Sequence, residues 1–278
     1  MKKAALIISG LFVSLSAFPQ ATGKIQLKNG QKILVSGTMS VEADLGMGMQ
    51  MTSSSTSENS LEVKNSSDKD YTITSTLTKL KMDLNMAGQS SSYDSEKNPN
   101  PTSDMDKSLA EQLNKPVDVI LDNTTGKASL KEKPKKTDEE DSNPMAGMMG
   151  AFAQSTDDAV VSGAFELVPP GKKVGDSWTD STKEKDMTTV RTYTLKSLSG
   201  NDAVIQVDAV INASNKLDFQ GMEMEFKSTT KSSSEITTDI NTGNVKSKNT
   251  KSDITGNIQI MGQEMPVTAK VNTANTYK

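Results

Sequence analysis

The groups in this chain that could do chemistry are serines spaced from lysines, short acidic runs and a large number of methionines. Ser66 with Lys69 in "SSDK", and Ser228 with Lys231 in "STTK", match the S-x-x-K spacing of a serine nucleophile with a lysine base. On a helix that spacing shares a face, whereas on an extended strand i and i+3 point to opposite faces. Both copies lie in strand or turn context, so neither reads as catalytic. "DEED" (Asp138 to Asp141) and the pair Asp104 and Asp106 offer carboxylates to calcium, but neither has the ligand ladder and glycine of an EF-hand loop. The first reads as a solvated loop and the second as charge at a helix N-terminus. There is no His and no Cys, which excludes Ser-His-Asp and Cys-His catalysis and the usual zinc, haem and iron–sulfur ligand sets. No phosphate loop or Gly-rich dinucleotide fingerprint occurs. The expectation is no catalytic residue, no cofactor and no metal: a non-enzymatic protein.

The chain carries 16 methionines. Nine of them, Met47, Met49, Met51, Met82, Met86, Met222, Met224, Met261 and Met265, fall at or beside four Met–Gly knots: "DLGMGMQM", "DLNMAGQSS", "DFQGMEMEF" and "NIQIMGQEMPV". Three readings stand. Methionine packs a core poor in aromatics; it offers a flexible, polarizable surface to a lipid or other apolar ligand; or its thioethers bind Cu(I). Met47, Met49 and Met51 at i, i+2, i+4 predict one face of one strand, which suits packing or an apolar groove. A copper site would want ligands converging from several strands. Trp178, the lone Trp, follows "VGD" at a predicted strand start and joins the candidate lining.

Strand signals surround these residues. "DAVIQVDAVINA" and "MPVTAKVNT" alternate apolar and polar residues, as antiparallel strands with one wet face do. "DYTITSTLTKLKMDLNM" alternates through Tyr71, Ile73 and Leu77, then shifts phase to Leu80, Met82, Leu84 and Met86, which predicts a β-bulge. Gly48 and Gly88 are 40 residues apart, and Gly221 and Gly262 are 41 apart, with polar turns midway. Each half therefore reads knot, strand, turn, strand, knot, placing the four knots at one end of the sheet. "SDMDKSLAEQLN" reads as a helix capped by Ser103, with Met105, Leu109 and Leu113 on one face and Pro116 after it. "KPVDVILDNTTGKASLKEK" reads as a hairpin turning at Thr125-Gly126. The fold class is mostly β: long antiparallel hairpins forming a curved sheet, with one or two short helices. The sheet is either a half-open shell around the helix near Leu109 and Leu113, or a closed flattened barrel or sandwich. The expected division is a leader over 1–21 and a single β-rich domain over 22–278. Two related halves, 22–132 and 163–278, are joined by a mobile Pro/acidic and Met-rich connector, 133–162.

Lys2, Lys3 and the apolar run "AALIISGLFVSLSAF", then "PQATG", read as a secretory signal peptide cleaved after Ala17 or Ala21. The run is short for a membrane span, and no later stretch is apolar enough to be one. With no Cys there is no lipid-anchor cysteine, so the expectation is an exported, soluble protein, periplasmic or extracellular, and not a lipoprotein. Lys and Arg number 31 against 35 Asp and Glu, and such a balance gives no basic footprint for nucleic acid.

The succession "LNKPVDVILDNTTGKASL", "LVPPGKKVGDSW" and then long Thr/Ser-rich strands resembles an uncharacterised family (a domain of unknown function) of exported Bacteroidetes-type bacterial proteins. The resemblance implies an envelope location and transfers no functional residue. The leading function is a non-enzymatic exported envelope protein that binds an apolar ligand, lipid or lipoprotein-like, in a sheet-lined cavity. The alternative is a structural or surface-interaction protein with a closed core and no small ligand, and the third is Cu(I) binding.

Overall fold

The computed structural model describes residues 21–46, 48–98, 101–132, 156–184, 186–219, 222–260 and 263–278. The leader, the acidic run 134–144, the methionines from Met145 to Met149 and the knot residues Met47, Gly221, Met261 and Gly262 lie outside them. Twelve strands follow in chain order: β1 (Lys32–Asp44), β2 (Gln50–Ser66), β3 (Asp70–Met86), β4 (Gln89–Asp94), β5 (Pro116–Asp122), β6 (Ala128–Leu130), β7 (Ser177–Glu184), β8 (Met187–Ser199), β9 (Asp202–Phe219), β10 (Met222–Asp239), β11 (Val245–Ile260) and β12 (Gln263–Tyr277). Among the described residues there are two helices, α1 (Asp104–Ala110) and α2 (Asp157–Gly163). The strands form one unclosed antiparallel sheet ordered β6-β5-β3-β2-β1-β12-β11-β10-β9-β8-β7, with β4 on β3.

Pairing registers show why the alternation works. Val35, Val41 and Ala43 of β1 stand opposite Tyr277, Val271 and Ala269 of β12, so the apolar positions of both strands share one face. The phase change in β3 is a bulge: Glu58 faces Lys79 and Asn59 faces Leu77, leaving Thr78 as the extra residue. Leu80, Met82, Leu84 and Met86 thereby stay on the face of Tyr71 and Ile73. Three more register shifts leave Lys64, Lys196 and Lys246 unpaired, each with its side chain in solvent. Two of them make surface ion pairs there, Lys64 with Glu62 and Lys246 with Asp202.

The strand ends flanking the four knots meet at one end of the sheet, through the pairs Asp44–Gln50, Met86–Gln89, Phe219–Met222 and Ile260–Gln263. At the other end one turn is built twice. In "DNTTG" the Asp122 carboxylate accepts from the N–H groups of Thr124 and Thr125 at 2.9 and 2.8 Å. In "DINTG" the Asp239 carboxylate accepts from Asn241 and Thr242 at 2.9 and 3.0 Å. Both turns end on a glycine at positive φ, Gly126 at 68° and Gly243 at 75°, where a side chain would be strained.

Two segments strap these turns together. Ile25 N–H donates to the Asn123 carbonyl at 2.7 Å and Gln26 N–H to the Thr242 carbonyl at 3.0 Å. Ser162 Oγ donates to the Gly126 carbonyl at 2.9 Å, and Glu166 N–H to the Gly243 carbonyl at 2.9 Å. From β5 to β11 there are five steps along the sheet, about 24 Å if it were flat. Adjacent residues cannot reach both turns over that span, so the sheet is curled, with the apolar face inward.

The straps close this end over two buried clusters. One gathers Ile25, Leu61, Ile73, Val119, Leu121 and Phe165 beneath α2; the other gathers Leu195, Ile205, Ile236, Val245 and Val168. Helix α2, whose Val161 is fully buried, packs into the first. Helix α1 begins as expected, with Ser103 Oγ accepting from Asp106 N–H at 3.1 Å. It ends at Ala110, before Pro116, where Asn114 at φ 58° turns the chain. Its Leu109 packs with Met82 and Tyr93, and Leu80 and Leu113 rest against them; the bridge between the two turns is made by the straps and α2, not by α1.

Candidate functional site: the inner face of the curled sheet

The inner face has an apolar end at the knots and a polar waist. At the knot end, Val41, Ala43, Met51, Leu84, Val267 and Ala269 form a third buried cluster. Met39, Met86, Ile254, Ile258 and Val271 pack against it and remain partly accessible. Moving toward the straps, the same face turns hydroxylic. One row across the ladder runs Trp178, Tyr193, Val207, Ser234, Thr250, Thr273, Met39, Ser55 and Met82. Ser234 Oγ and Thr250 Oγ1 share a hydrogen bond of 2.8 Å within it.

The candidate lining residues divide accordingly. Met51 is buried opposite Met86 and Ala43, and Met265 is half-buried opposite Ile258, so these belong to the knot-end band. Met82 is buried under Leu109 and Tyr93. Met49 is not on a strand with Met51: it sits in the β1–β2 turn, where Leu45 N–H donates to its carbonyl at 2.9 Å, and it is 42% exposed. Gly46 and Gly48, at φ 80° and 78°, reverse the chain there. Met222 and Met224 lie on β10, but their side chains, like Met47 and Met261, fall outside the described residues. Trp178 is remote from the knots on edge strand β7. It stacks on Tyr193 with centroids 5.2 Å apart and 2° between planes, and Lys172 Nζ lies 5.6 Å from the Trp178 ring. The S-x-x-K pair Ser228 and Lys231 points to opposite faces of β10.

Sequence reasoning missed the charged residues at the waist. Lys248 stands opposite Ile236 and so faces inward; Arg191 stands opposite Ala209, two residues from the buried Tyr193. Glu166, on the second strap, reaches in between them. Its carbonyl accepts from Thr238 Oγ1 at 3.0 Å, anchoring the residue. Burial pushes the Glu166 carboxyl up to about 7, against the pull of Lys248 and Arg191. Burial likewise lowers Lys248, and raises the Tyr193 phenol with help from Glu166. Arg191 holds Asp180 at 3.8 Å. Lys248 has no hydrogen bond or ion pair among the described residues. The phase of Ile254 and Ile258, read backward along β11, puts Lys248 inward and was the available signal. Chemically the cluster can hold an anion or a proton; among the described residues no hydroxyl is hydrogen-bonded to the Glu166 carboxylate or to Lys248 as an activated nucleophile would be.

The outer face is polar, with recesses of about 570 and 520 Å³ lined by residues such as Ser36, Glu58, Lys79, Ser40 and Asp83. Neither is lined by methionine. No helix among the described residues is long and apolar enough to cross a membrane.

The fold is similar to that in a structure described as "Lipid-protein interactions in lipovitellin", at TM-score 0.50 and 13% identity, over 91% of this chain and 25% of that one. This chain thus spans about a quarter of the lipovitellin chain. Likenesses to an outer membrane channel from Pseudomonas putida F1 (TM-score 0.26, 10% identity, 91% and 97% of the two chains) and to Pseudomonas aeruginosa OpdQ (0.24, 4%, 91% and 99%) are too low to carry an argument. No curated protein matches the chain. A family model described as a family of unknown function matches residues 68–245, which takes in both turn signatures and the strands from β3 to β10. The chain belongs to that family, DUF6263.

Proposed function

We propose that this chain is a non-enzymatic, exported envelope protein that holds an apolar ligand, a lipid, against the inner face of its curled sheet. The observation that carries the reading is the distribution of apolar residues in an unclosed sheet. They gather on one face, and at the knot end the partly accessible Met39, Met86, Ile254, Ile258 and Val271 line it. The fold likeness to lipovitellin, a structure named for its lipid–protein interactions, supports the reading at the level of fold. Burial of acyl chain would drive binding at about 0.8 kcal/mol per CH2.

Burial of Val41 to 2% and Val267 to 1% favours a second reading, a structural or interaction protein whose core is complete without a ligand. Native mass spectrometry of Thr22 to Lys278, exported by a bacterial host and examined before and after solvent extraction, separates the two. A stoichiometric lipid that extraction removes supports the first. A clean apo mass, with no uptake of added fatty alcohol or fatty acid, overturns it in favour of the second.

A further inference from the structure

The inner face at the knot end is unevenly covered. On the β1–β3 side Ala43, Met51 and Leu84 are buried by their own neighbours, and Val267 and Ala269 of β12 with them. On the β8–β11 side the apolar residues of the same face stay within reach of solvent: Ile211, Ala213, Phe226, Ile254 and Ile258 are half-buried, and Met187 is 37% exposed. Pairing arranges them as two walls and a floor. Ile254, Thr230 and Ile211 stand in one row across β11, β10 and β9, and Ile258 and Phe226 stand in another, four residues nearer the knots. The row between them runs Gly256, Ser228, Ala213 and Met187. Gly256 is held without a side chain there, because a Cβ would sit 2.5 Å from the Lys227 carbonyl. These rows form a groove across the strands. It is closed at the β12 end by the buried Val267, opposite Gly256, and open at Met187, next to edge strand β7.

The groove has the dimensions of one hydrocarbon chain. From Gly256 to Met187 is three strand steps, about 14 Å, against about 15 Å for one acyl leaflet of a bilayer. Ile254 and Ile258 stand about 13 Å apart along β11, so their side chains flank the floor from both sides. A tail laid there covers apolar surface that the fold leaves wet, whereas most of the β1–β3 side is already covered by protein. We propose that the apolar ligand is a single-chain lipid whose tail lies across the strands, from Gly256 to Met187, with its polar end at the open edge by β7. This rests on the reading of an apolar ligand and adds where its tail lies and how many chains it has.

The test is calorimetric titration of delipidated Thr22 to Lys278 with hexadecanol, which is expected to bind at one molecule per chain. Ala213→Leu places bulk on the groove floor and should weaken binding at least tenfold. Ser252→Leu adds bulk to the same face beyond the Ile254 wall, opposite Val271, and should leave the affinity within about twofold. Should Ala213→Leu fail to fold by circular dichroism, Ser228→Leu serves with the same expectation. An unchanged affinity in the floor variant, an equal loss in Ser252→Leu, or two molecules per chain overturns the placement while leaving apolar binding intact. No binding of hexadecanol by the unsubstituted chain overturns the apolar-ligand reading itself.

Discussion

Deleting Thr78 should hardly matter, and deleting Asp83 five residues later should be severe. Thr78 is the extra residue of the β3 bulge, lying between Leu77 opposite Asn59 and Lys79 opposite Glu58. Without it the ladder runs on regularly, and Leu80, Met82, Leu84 and Met86 keep the inner face. The loss is one hydrogen bond, Thr78 Oγ1 to the Glu58 carbonyl at 3.0 Å, worth about 1 kcal/mol. Deleting Asp83 offers two poor choices. Either Leu84 and Met86 turn outward, or the bulge dissolves and Leu80 and Met82 turn outward while Lys79 and Lys81 turn in. Each choice exposes one buried and one half-buried apolar side chain, roughly 2–4 kcal/mol. With an m-value of about 3 kcal/mol per M, the urea midpoint falls by about 0.3 M for the first deletion and by about 1 M for the second. Far-UV circular dichroism across a urea series measures both. Equal losses, or a larger loss for Thr78, would show that the sheet needs the bend of the bulge and not the phase of its apolar residues.

Gly256→Ala should cost about 1–3 kcal/mol, because its Cβ would sit 2.5 Å from the Lys227 carbonyl, which is backbone. Gly37→Ala meets the Asn275 side-chain oxygen at the same 2.5 Å, but that group can rotate away, so a thermal melt should show it close to neutral; matching losses would contradict this. The Thr124 hydroxyl, against some burial, and the N–H groups of Thr124 and Thr125 hold the Asp122 carboxyl down at about 2. Its contribution to stability is present above its ordinary pKa of about 3.9 and fades as pH falls toward 2. A carbon-detected NMR titration with a midpoint near the ordinary value would refute that. Glu166 has the opposite sign: raised to about 7 with Lys248, Arg191, Asp180 and Tyr193 around it, it binds a proton that the unfolded chain releases near 4.5. Stability should fall as pH rises from about 4.5 to 7, and Glu166→Gln should flatten that part of the profile. Urea midpoints at pH 5 and pH 8 decide it, and an unchanged difference between them in the variant would refute the assignment.

Much of this architecture is legible in residue phase. The alternation of β9 and β12, the bulge in β3, the Ser103 cap and the Thr125-Gly126 turn all follow from local rules. They hold because each rule concerns neighbours within a few residues. What the local rules miss is what the straps do. Nothing near Ile25 or Glu166 announces that these segments bridge distant turns, since the backbone hydrogen bonds to Asn123, Thr242 and Gly243 carry no side-chain signature. The repeated D-x-x-T-G was in plain view at Asp122 and Asp239, but the two copies become a pair only once the strap spans them. The Met47, Met49, Met51 reading fails for a local reason: two glycines within three residues reverse the chain before alternation applies. Membership of the family was visible through turn signatures, which specify geometry and say nothing about ligands.

The polar waist also explains how such long strands keep their register. In the middle of β2, β10 and β11, "TSSSTSENS", "STTKSSSE" and "SKNTKSD" present hydroxyl and charged groups to both faces. A strand polar on both sides gains little from one register over its neighbour. Here the register is pinned from the two ends: by Ile236, Leu61 and Val245 beneath the straps, and by Met51, Ile254 and Val267 at the knots. If stability alone shaped the centre, Val and Ile would serve it better than serine. The hydroxyl waist keeps the centre of the inner face wettable between two apolar ends, and register is left to those ends.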